Sequence, residues 1–136
     1  VFLEAEMEKK QNYSKKRQAI LNLIMSTKLH PSAEWIYMQL KPEIPDLSLA
    51  TVYRNLARFK EEGIIISVGT VNGQDRIDGD TKPHAHFICS KCGRVIDVNA
   101  SVDNKNINEE IDRQYNVKTS YHELTYFGEC DRCINN

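Results

Sequence analysis

Four cysteines form two Cys-x-x-Cys pairs, and they are Cys89, Cys92, Cys130 and Cys133. A two-residue spacing points two sulfur atoms at one ion, and four thiolates in a tetrahedron are the usual ligands of structural Zn²⁺. Gly93 follows the first pair and frees the backbone to turn tightly around a metal. Because 37 residues (93–129) separate the pairs, an ion would tie the far end of its domain to the first strand. The sequence therefore predicts one structural zinc per chain.

Disulfides and a redox Cys-x-x-Cys are the alternatives for these cysteines. The charged N-terminus does not resemble a signal peptide, so we expect a cytoplasmic protein, where disulfides are rare. A redox pair needs a helix N-terminus and would leave the second pair unexplained. The chain is 40% hydrophobic but has no run of ~20 apolar residues, so no membrane partner is expected. The net charge of -1 neither favours nor excludes nucleic acid.

A second group of residues offers nitrogen and oxygen ligands. His84 and His86 alternate along a predicted strand, so both imidazoles leave one face. Asp97 lies on the next predicted strand, Asp78 ends a predicted hairpin, and His30 follows the first long helix. Mixed imidazole and carboxylate donors suit Fe²⁺, Mn²⁺ or Co²⁺. Spacing alone indicates a site only for the histidine pair, because the other three also fit surface or turn residues.

The first half of the chain must position part of this group, and its pattern is three helices and a hairpin. Ser14 is the predicted N-cap of the first helix, which ends before Pro31. Ser32 and Ser48 are the predicted N-caps of the second and third helices, and Gly63 suits the end of the third. A β-branched run (64–68), the turn pair Asn72-Gly73 and a return strand (75–77) predict a hairpin. This order is that of a winged helix-turn-helix.

The third helix has two contrasting faces. Its apolar face consists of Leu49, Val52, Leu56 and Phe59. Its outer face is small and cationic and consists of Ala50, Thr51, Arg54, Ala57 and Arg58. Such a face suits approach to a groove edge and phosphates, although an ordinary amphipathic surface helix would look similar. The predicted DNA contacts are Lys15, Arg17, Thr51, Tyr53, Arg54 and Arg58.

The second half reads as a small α+β domain. Turn formers from Asp78 to Pro83 indicate a hinge. Strands are predicted at 86–89 and 95–98, a helix at 106–115, and one or two further strands within 117–127. The predicted organisation is a winged helix-turn-helix domain (1–79), a hinge (80–85) and a metal-binding dimerisation domain with the four-cysteine zinc site (86–136).

Several motifs together resemble the ferric uptake regulator (Fur) family over nearly the whole chain. They are His30-Pro31-Ser32-Ala33, Leu49-Ala50-Thr51-Val52-Tyr53-Arg54-Asn55-Leu56, His84-Ala85-His86-Phe87-Ile88-Cys89-Ser90-Lys91-Cys92-Gly93 and Cys130-Asp131-Arg132-Cys133. The chain is most similar to the peroxide-sensing PerR branch, whose regulatory metal is held by three histidines and two aspartates. The resemblance implies a regulatory Fe²⁺ or Mn²⁺ on His30, Asp78, His84, His86 and Asp97.

The resemblance also implies a mechanism and marks two departures. Iron-catalysed oxidation of His30 or His84 would weaken metal binding and release operator DNA. Iron sensors often have further ligands where Pro83 and Ala85 stand, so His122 has no evident set of partners. The family usually shows a Thr-Pro-Gln-Arg-like entry to its first long helix, and this chain has Ser-Lys-Lys-Arg (14–17) there.

We therefore expect a homodimeric, metal-dependent repressor that binds double-stranded operator DNA and is not an enzyme. The nearest alternative is an iron- or manganese-responsive repressor of the same fold that does not sense peroxide. A small metalloenzyme using the His/Asp group is a third possibility, although five ligands leave little room for a substrate. A zinc-stabilised protein-interaction module is a fourth, and the cationic outer face of the third helix disfavours it.

Overall fold

The computed structural model describes residues 2–82, 84–98 and 106–135. The chain divides into two compact units, Val1–Thr81 and Lys82–Asn136. Pro83, part of the predicted hinge, lies outside the described residues. Within the described ranges, no helix combines the length and apolar character needed to cross a bilayer.

The first unit contains three helices and a two-stranded hairpin. Its elements are α1 (Phe2–Ser26), α2 (Ala33–Leu40), α3 (Leu49–Glu61), β1 (Ile66–Val71) and β2 (Gln74–Asp78). The prediction that Ser14 caps the first helix is wrong, because α1 runs without a break from Phe2. The physical reason is that residues 3–11 are rich in good helix formers and include Glu6 and Lys10 at the favourable i,i+4 spacing.

The predicted caps of α2 and α3 are confirmed. The Ser32 hydroxyl accepts a hydrogen bond from the Trp35 N–H (3.1 Å), and the Ser48 hydroxyl accepts one from the Thr51 N–H (3.1 Å). At the end of α3, Gly63 has a positive φ of 73°. Its N–H donates to Lys60 O (3.1 Å), and the next N–H donates to Phe59 O (2.9 Å). This bonding is the Schellman motif, which satisfies the last carbonyl groups of a helix.

The hairpin forms at the predicted turn. Asn72 and Gly73 both have positive φ values, 53° and 78°, as a type I′ turn requires. β1 and β2 pair antiparallel on either side of this turn. The three helices and the hairpin share one hydrophobic core, whose buried members are Ile20, Ile24, Ala33, Ile36, Leu40, Leu47, Val52, Leu56, Phe59, Ile65 and Ile77.

The second unit contains a three-stranded sheet and two helices. Its elements are β3 (Ala85–Cys89), β4 (Val95–Val98), α4 (Asn106–Tyr115), β5 (Thr125–Gly128) and α5 (Asp131–Ile134). The strand order is β4-β3-β5, with β3 antiparallel to β4 and parallel to β5. The short helix α5 was not predicted.

The expectation of strand structure from residue 117 onward is wrong until Thr125. Thr119 instead donates two hydrogen bonds to the Asp112 carboxylate on α4, from its N–H (2.7 Å) and its hydroxyl (2.6 Å). Asn116 has a positive φ of 54°, which turns the chain directly after α4. Such side-chain bonds to the backbone compete with a strand ladder.

Candidate metal centres and DNA-binding face

The four cysteine sulfurs of the second unit converge. They come from the end of β3, the turn after it, and the two ends of the segment that forms α5, and they are Cys89, Cys92, Cys130 and Cys133. All four sulfur atoms lie within 4.8 Å of one another. The Sγ atoms of Cys92 and Cys130 are 3.7 Å apart, and a tetrahedral zinc with bonds of about 2.3 Å needs sulfurs about 3.8 Å apart. The geometry and the donor type therefore fit zinc.

The parallel pairing of β3 with β5 brings the two cysteine pairs together. Cys89 lies opposite Gly128 in the register, and the Ser90 N–H donates to Gly128 O (2.7 Å). Gly93 has a positive φ of 77°, and its N–H donates to Cys89 O (2.9 Å). The turn predicted around the metal is thus present, and each pair begins where a strand ends.

The backbone around Cys89 favours its thiolate form. The N–H groups of Cys92 and Cys130 each donate to the Cys89 sulfur at 3.4 Å, and they lower the pKa of Cys89 to about 6. Burial instead raises the pKa of Cys133 to about 12. Two backbone donors on one sulfur are typical of a knuckle built to hold an anionic metal ligand.

The first unit contributes two of the five predicted regulatory ligands, and it brings them together. The His30 Nε2 atom lies 3.3 Å from the Asp78 carboxylate. His30 follows α1 and Asp78 ends β2, so 48 positions of sequence separate them. Both residues are buried, with 4% and 8% of their surface exposed. A buried imidazole facing a buried carboxylate offers one nitrogen and one oxygen donor to a metal ion.

The second unit contributes the other three. The Asp97 Oδ1 atom lies 3.2 Å from His84 Nε2 and 3.3 Å from His86 Nε2. His86 and Asp97 are direct partners in the β3–β4 register, which explains why a ligand on the next strand is in reach. The His84 Nδ1 atom lies 2.6 Å from Lys82 O. A proton on Nδ1 donates to that carbonyl and leaves the Nε2 lone pair for a metal.

His122 has a partner that the sequence did not reveal. Its Nδ1 atom lies 2.6 Å from the Asn108 amide oxygen. Asn108 belongs to α4, and His122 belongs to the segment before β5. This hydrogen bond therefore fixes that segment against the helix.

The outer face of α3 carries most of the predicted DNA contacts. Tyr53, Arg54 and Arg58 are exposed, and so is Lys15 on α1. The placement of Thr51 on this face is wrong, because only 9% of its surface is exposed. Its hydroxyl lies 2.8 Å from the capping Ser48 hydroxyl and accepts a hydrogen bond from the Arg54 guanidinium (3.1 Å).

Neighbouring elements hold several of these side chains, and sequence reasoning missed the partners. The Tyr53 hydroxyl donates to the Glu34 carboxylate on α2. The Arg58 guanidinium donates to the Tyr13 hydroxyl (3.1 Å). Asp75 on β2 accepts hydrogen bonds from Lys60 on α3 and Ser67 on β1. These pairs are distant in sequence, so periodicity and cap rules carry no signal for them.

The first unit has the winged helix-turn-helix fold, a fold class that is common among DNA-binding proteins. The second unit has four convergent thiols that fit a metal ion. Together they indicate the class of metal-binding transcription regulators. Residues 8–127 match the model of the ferric uptake regulator family. The chain therefore belongs to this family, whose members are metal-responsive transcriptional regulators.

Individual relatives agree with this assignment. The peroxide-responsive repressor PerR of Staphylococcus aureus is 34% identical over 117 residues, which cover 86% of this chain and 78% of the relative. The structure of the Vibrio cholerae ferric uptake regulator is 32% identical, with a TM-score of 0.68 and coverage of 84% and 88%. The structure of the Helicobacter pylori ferric uptake regulator, described as having three functional metal-binding sites, is 25% identical, with a TM-score of 0.78 and coverage of 99% of this chain and 92% of that chain.

Proposed function

We propose that this chain is a homodimeric repressor that binds operator DNA when a regulatory Fe²⁺ or Mn²⁺ is present and releases it on reaction with peroxide. The observation that supports this proposal is the pairing of histidine with aspartate within each unit. His30 faces Asp78 in the first unit, and His84 and His86 face Asp97 in the second. One ion bound by all five residues would join the DNA-binding unit to the second unit.

We assign the four thiolates to structural Zn²⁺. The 3.7 Å sulfur separation and the two backbone donors to Cys89 support this assignment. Zinc there would hold β3, β5 and α5 together and leave the His/Asp residues to exchange a different ion. Sulfur donors favour zinc, whereas nitrogen and oxygen donors accept iron or manganese.

We propose that α3 enters the major groove of DNA and that the β1–β2 hairpin is the wing. The proposed face comprises the exposed residues Lys15, Tyr53, Arg54 and Arg58, and Arg17 and Thr51, also predicted from the sequence, would support it, Arg17 through its ion pair with Glu62. The exposed members would contact phosphates and base edges. Thr51 would act by holding the Arg54 guanidinium, to which it is hydrogen-bonded.

Dimerisation would place two such helices about one turn of DNA apart. The second unit offers a surface for it: β5 lies at an edge of the three-stranded sheet, and its Phe127 is 71% exposed. On α4, Ile107 and Ile111 are 42% and 40% exposed. Exposed apolar residues and an edge strand are each features that subunit interfaces use. Substituting Phe127 or Ile111 by Asp is expected to yield monomers in sedimentation analysis.

The peroxide response would depend on the imidazoles next to the metal. Ferrous iron held by these residues would catalyse the transfer of one oxygen atom from peroxide to the ring of His30 or His84, with water as the other product. The oxidised imidazole would be a poor ligand, so the ion would no longer join the two units and the spacing of the two α3 helices in the dimer would be lost. The S. aureus relative carries the name of a peroxide-responsive repressor, which supports this finer assignment.

The deciding experiment compares iron-loaded and manganese-loaded protein before and after peroxide treatment. We expect the iron form to lose operator affinity and to gain 16 Da on a peptide containing His30 or His84. The manganese form should keep both its affinity and its mass, because Mn²⁺ does not readily perform this one-electron chemistry. A 16 Da gain confined to cysteine or methionine would contradict the proposal.

An iron- or manganese-responsive repressor without peroxide sensing is the second candidate. The observation in its favour is the similar identity to a peroxide-responsive repressor (34%) and to an iron-uptake regulator (32%). Under this alternative, chelation of the regulatory metal releases DNA, but peroxide has no effect on the iron form. The same comparison therefore separates the two functions.

A further inference from the structure

The side chain of Arg76 on β2 is hydrogen-bonded to the backbone of the loop that contains His30. Its Nη2 atom donates a hydrogen bond to Leu29 O (2.7 Å), and its Nε atom donates one to His30 O. The two acceptors are consecutive carbonyl groups after the end of α1. A planar guanidinium presents two donors at a fixed spacing, which a lysine ammonium cannot reproduce.

His30, whose carbonyl group accepts one of these bonds, has an unusual backbone conformation. His30 has a φ of 54°, in the left-handed region that non-glycine residues rarely adopt. Such a conformation persists only where the surroundings hold it in place. The two bonds from Arg76 act on the peptide groups on both sides of the His30 α-carbon, so they are well placed to do this.

The two residues after Arg76, Ile77 and Asp78, also contact the segment that contains His30. The Ile77 N–H donates to Pro31 O (3.0 Å), and the Asp78 carboxylate lies 3.3 Å from His30 Nε2. Three consecutive residues of β2 thus hold three consecutive carbonyl groups and one imidazole. The wing strand fixes both the backbone and the side chain of His30.

We propose that Arg76 is a positioning residue for the regulatory metal, acting through His30. This inference rests on the proposed function, in which His30 is a ligand. Arg76 holds His30 in the left-handed conformation, so the imidazole faces Asp78 before a metal arrives. The ordering of this ligand pair then does not have to occur during metal binding.

The proposal also gives the wing a part in metal response. Arg76 and Asp78 belong to β2, which pairs antiparallel with β1. The wing strand therefore contains one of the first-unit ligands, Asp78, and through Arg76 it holds the backbone of the other, His30.

The test uses zinc-loaded full-length protein and the substitution Arg76→Gln, which keeps one amide donor and removes the guanidinium fork. We expect Mn²⁺ affinity, measured by titration calorimetry, to fall at least tenfold while the zinc content stays at one per chain. The control is Lys60→Met, which removes the bond from α3 to Asp75 on the same strand and leaves the His30 loop intact. It should keep wild-type Mn²⁺ affinity. Unchanged affinity in Arg76→Gln would overturn the proposal.

A double substitution tests whether Arg76 acts through His30. Once His30 is alanine, adding Arg76→Gln should change Mn²⁺ affinity no further, and a full second loss would contradict the positioning role. In metal-free protein, Arg76→Gln should speed hydrogen exchange at the Ile77 amide, which a loss confined to the metal step would not do. If Arg76→Gln does not fold, Arg76→Lys replaces it with the same expected result.

The single substitution His30→Ala separates the role of His30 as a metal ligand from the role of Arg76 in positioning it. A variant that binds Mn²⁺ as tightly as wild type shows that His30 is not a ligand, and the proposed function fails with it. A weakened His30→Ala together with an unaffected Arg76→Gln leaves the proposed function in place and refutes only the role of Arg76.

Discussion

The Arg17 guanidinium lies 2.8 Å from the Glu62 carboxylate, which joins the first helix to the C-terminal end of α3. The same guanidinium lies 4.6 Å from the centre of the Phe59 ring. Both partners belong to the last turn of α3 or its cap. Arg17 on α1 thus stabilises the position of α3, the helix that is proposed to bind DNA, through these two contacts.

We predict that Arg17→Met lowers the free energy of unfolding by about 1 kcal/mol. An exposed ion pair contributes about 0–1 kcal/mol and a cation–π contact about 0.5–1 kcal/mol. Chemical denaturation measures the change, and a double-mutant cycle with Glu62→Gln isolates the ion pair. We expect the slope of operator affinity against salt to stay unchanged. A slope shallower by about 1 would instead show a direct phosphate contact by Arg17.

The zinc assignment predicts a specific loss in Cys92→Ser. A hydroxyl is a weak zinc ligand, so we expect zinc content to fall well below one per chain and the second unit to unfold at lower temperature. Mass spectrometry of metal content and calorimetry measure both effects. Lys91→Ala is the matched control, because Lys91 lies in the same knuckle and pairs only at the surface with Glu129 (3.3 Å). Equal zinc in both variants would contradict the assignment.

Asp97→Asn should weaken metal binding at the His/Asp residues without affecting zinc binding at the four cysteines. The carboxylate lies within 3.3 Å of both His84 and His86, so its neutralisation removes an anionic ligand. We expect Mn²⁺ affinity to fall by about 10–100-fold, with one zinc per chain retained. His122→Ala is the control, and it should keep Mn²⁺ affinity because His122 is hydrogen-bonded to Asn108. Loss of zinc in Asp97→Asn would argue against two independent sites.

The Glu34–Tyr53 hydrogen bond predicts a pH dependence. The bond to the Glu34 carboxylate raises the pKa of Tyr53 above the usual value near 10. Because the folded pKa is the higher one, the stabilisation is complete below pH ~10 and is lost as pH rises through the folded pKa. Glu34→Gln should bring the pKa of Tyr53 back toward 10 in NMR titrations of labelled tyrosine. Glu43→Gln is the control, and an unchanged Tyr53 pKa in Glu34→Gln would refute the contact.

Local rules predicted the parts of the fold that local bonds determine. Ser32 and Ser48 cap helices because a hydroxyl reaches an N–H three residues ahead. Gly63 and the Asn72-Gly73 turn follow from backbone conformations that few residues accept. The start of α1 was missed because a plausible cap at Ser14 cannot stop a helix whose preceding residues also favour it.

Relationships between distant residues were beyond those rules. Arg76 is separated in sequence by 46 and 47 positions from His30 and Leu29, the two residues whose carbonyl groups it binds. Nothing in the composition of β2 indicates these hydrogen bonds. Spacing alone supported only His84 and His86 as ligands. Family resemblance added His30, Asp78 and Asp97, and the structure gives each of these a histidine–aspartate contact within its own unit.

The parallel pairing of β3 with β5 has a consequence for biosynthesis. The 37 residues between the two cysteine pairs must be synthesised before the second pair follows the first, and β3 gains its parallel partner only once β5 has been made. A nascent chain that stops before Cys130 would therefore offer two of the four sulfur ligands, and the four-sulfur site could be complete only after Cys133 has been synthesised.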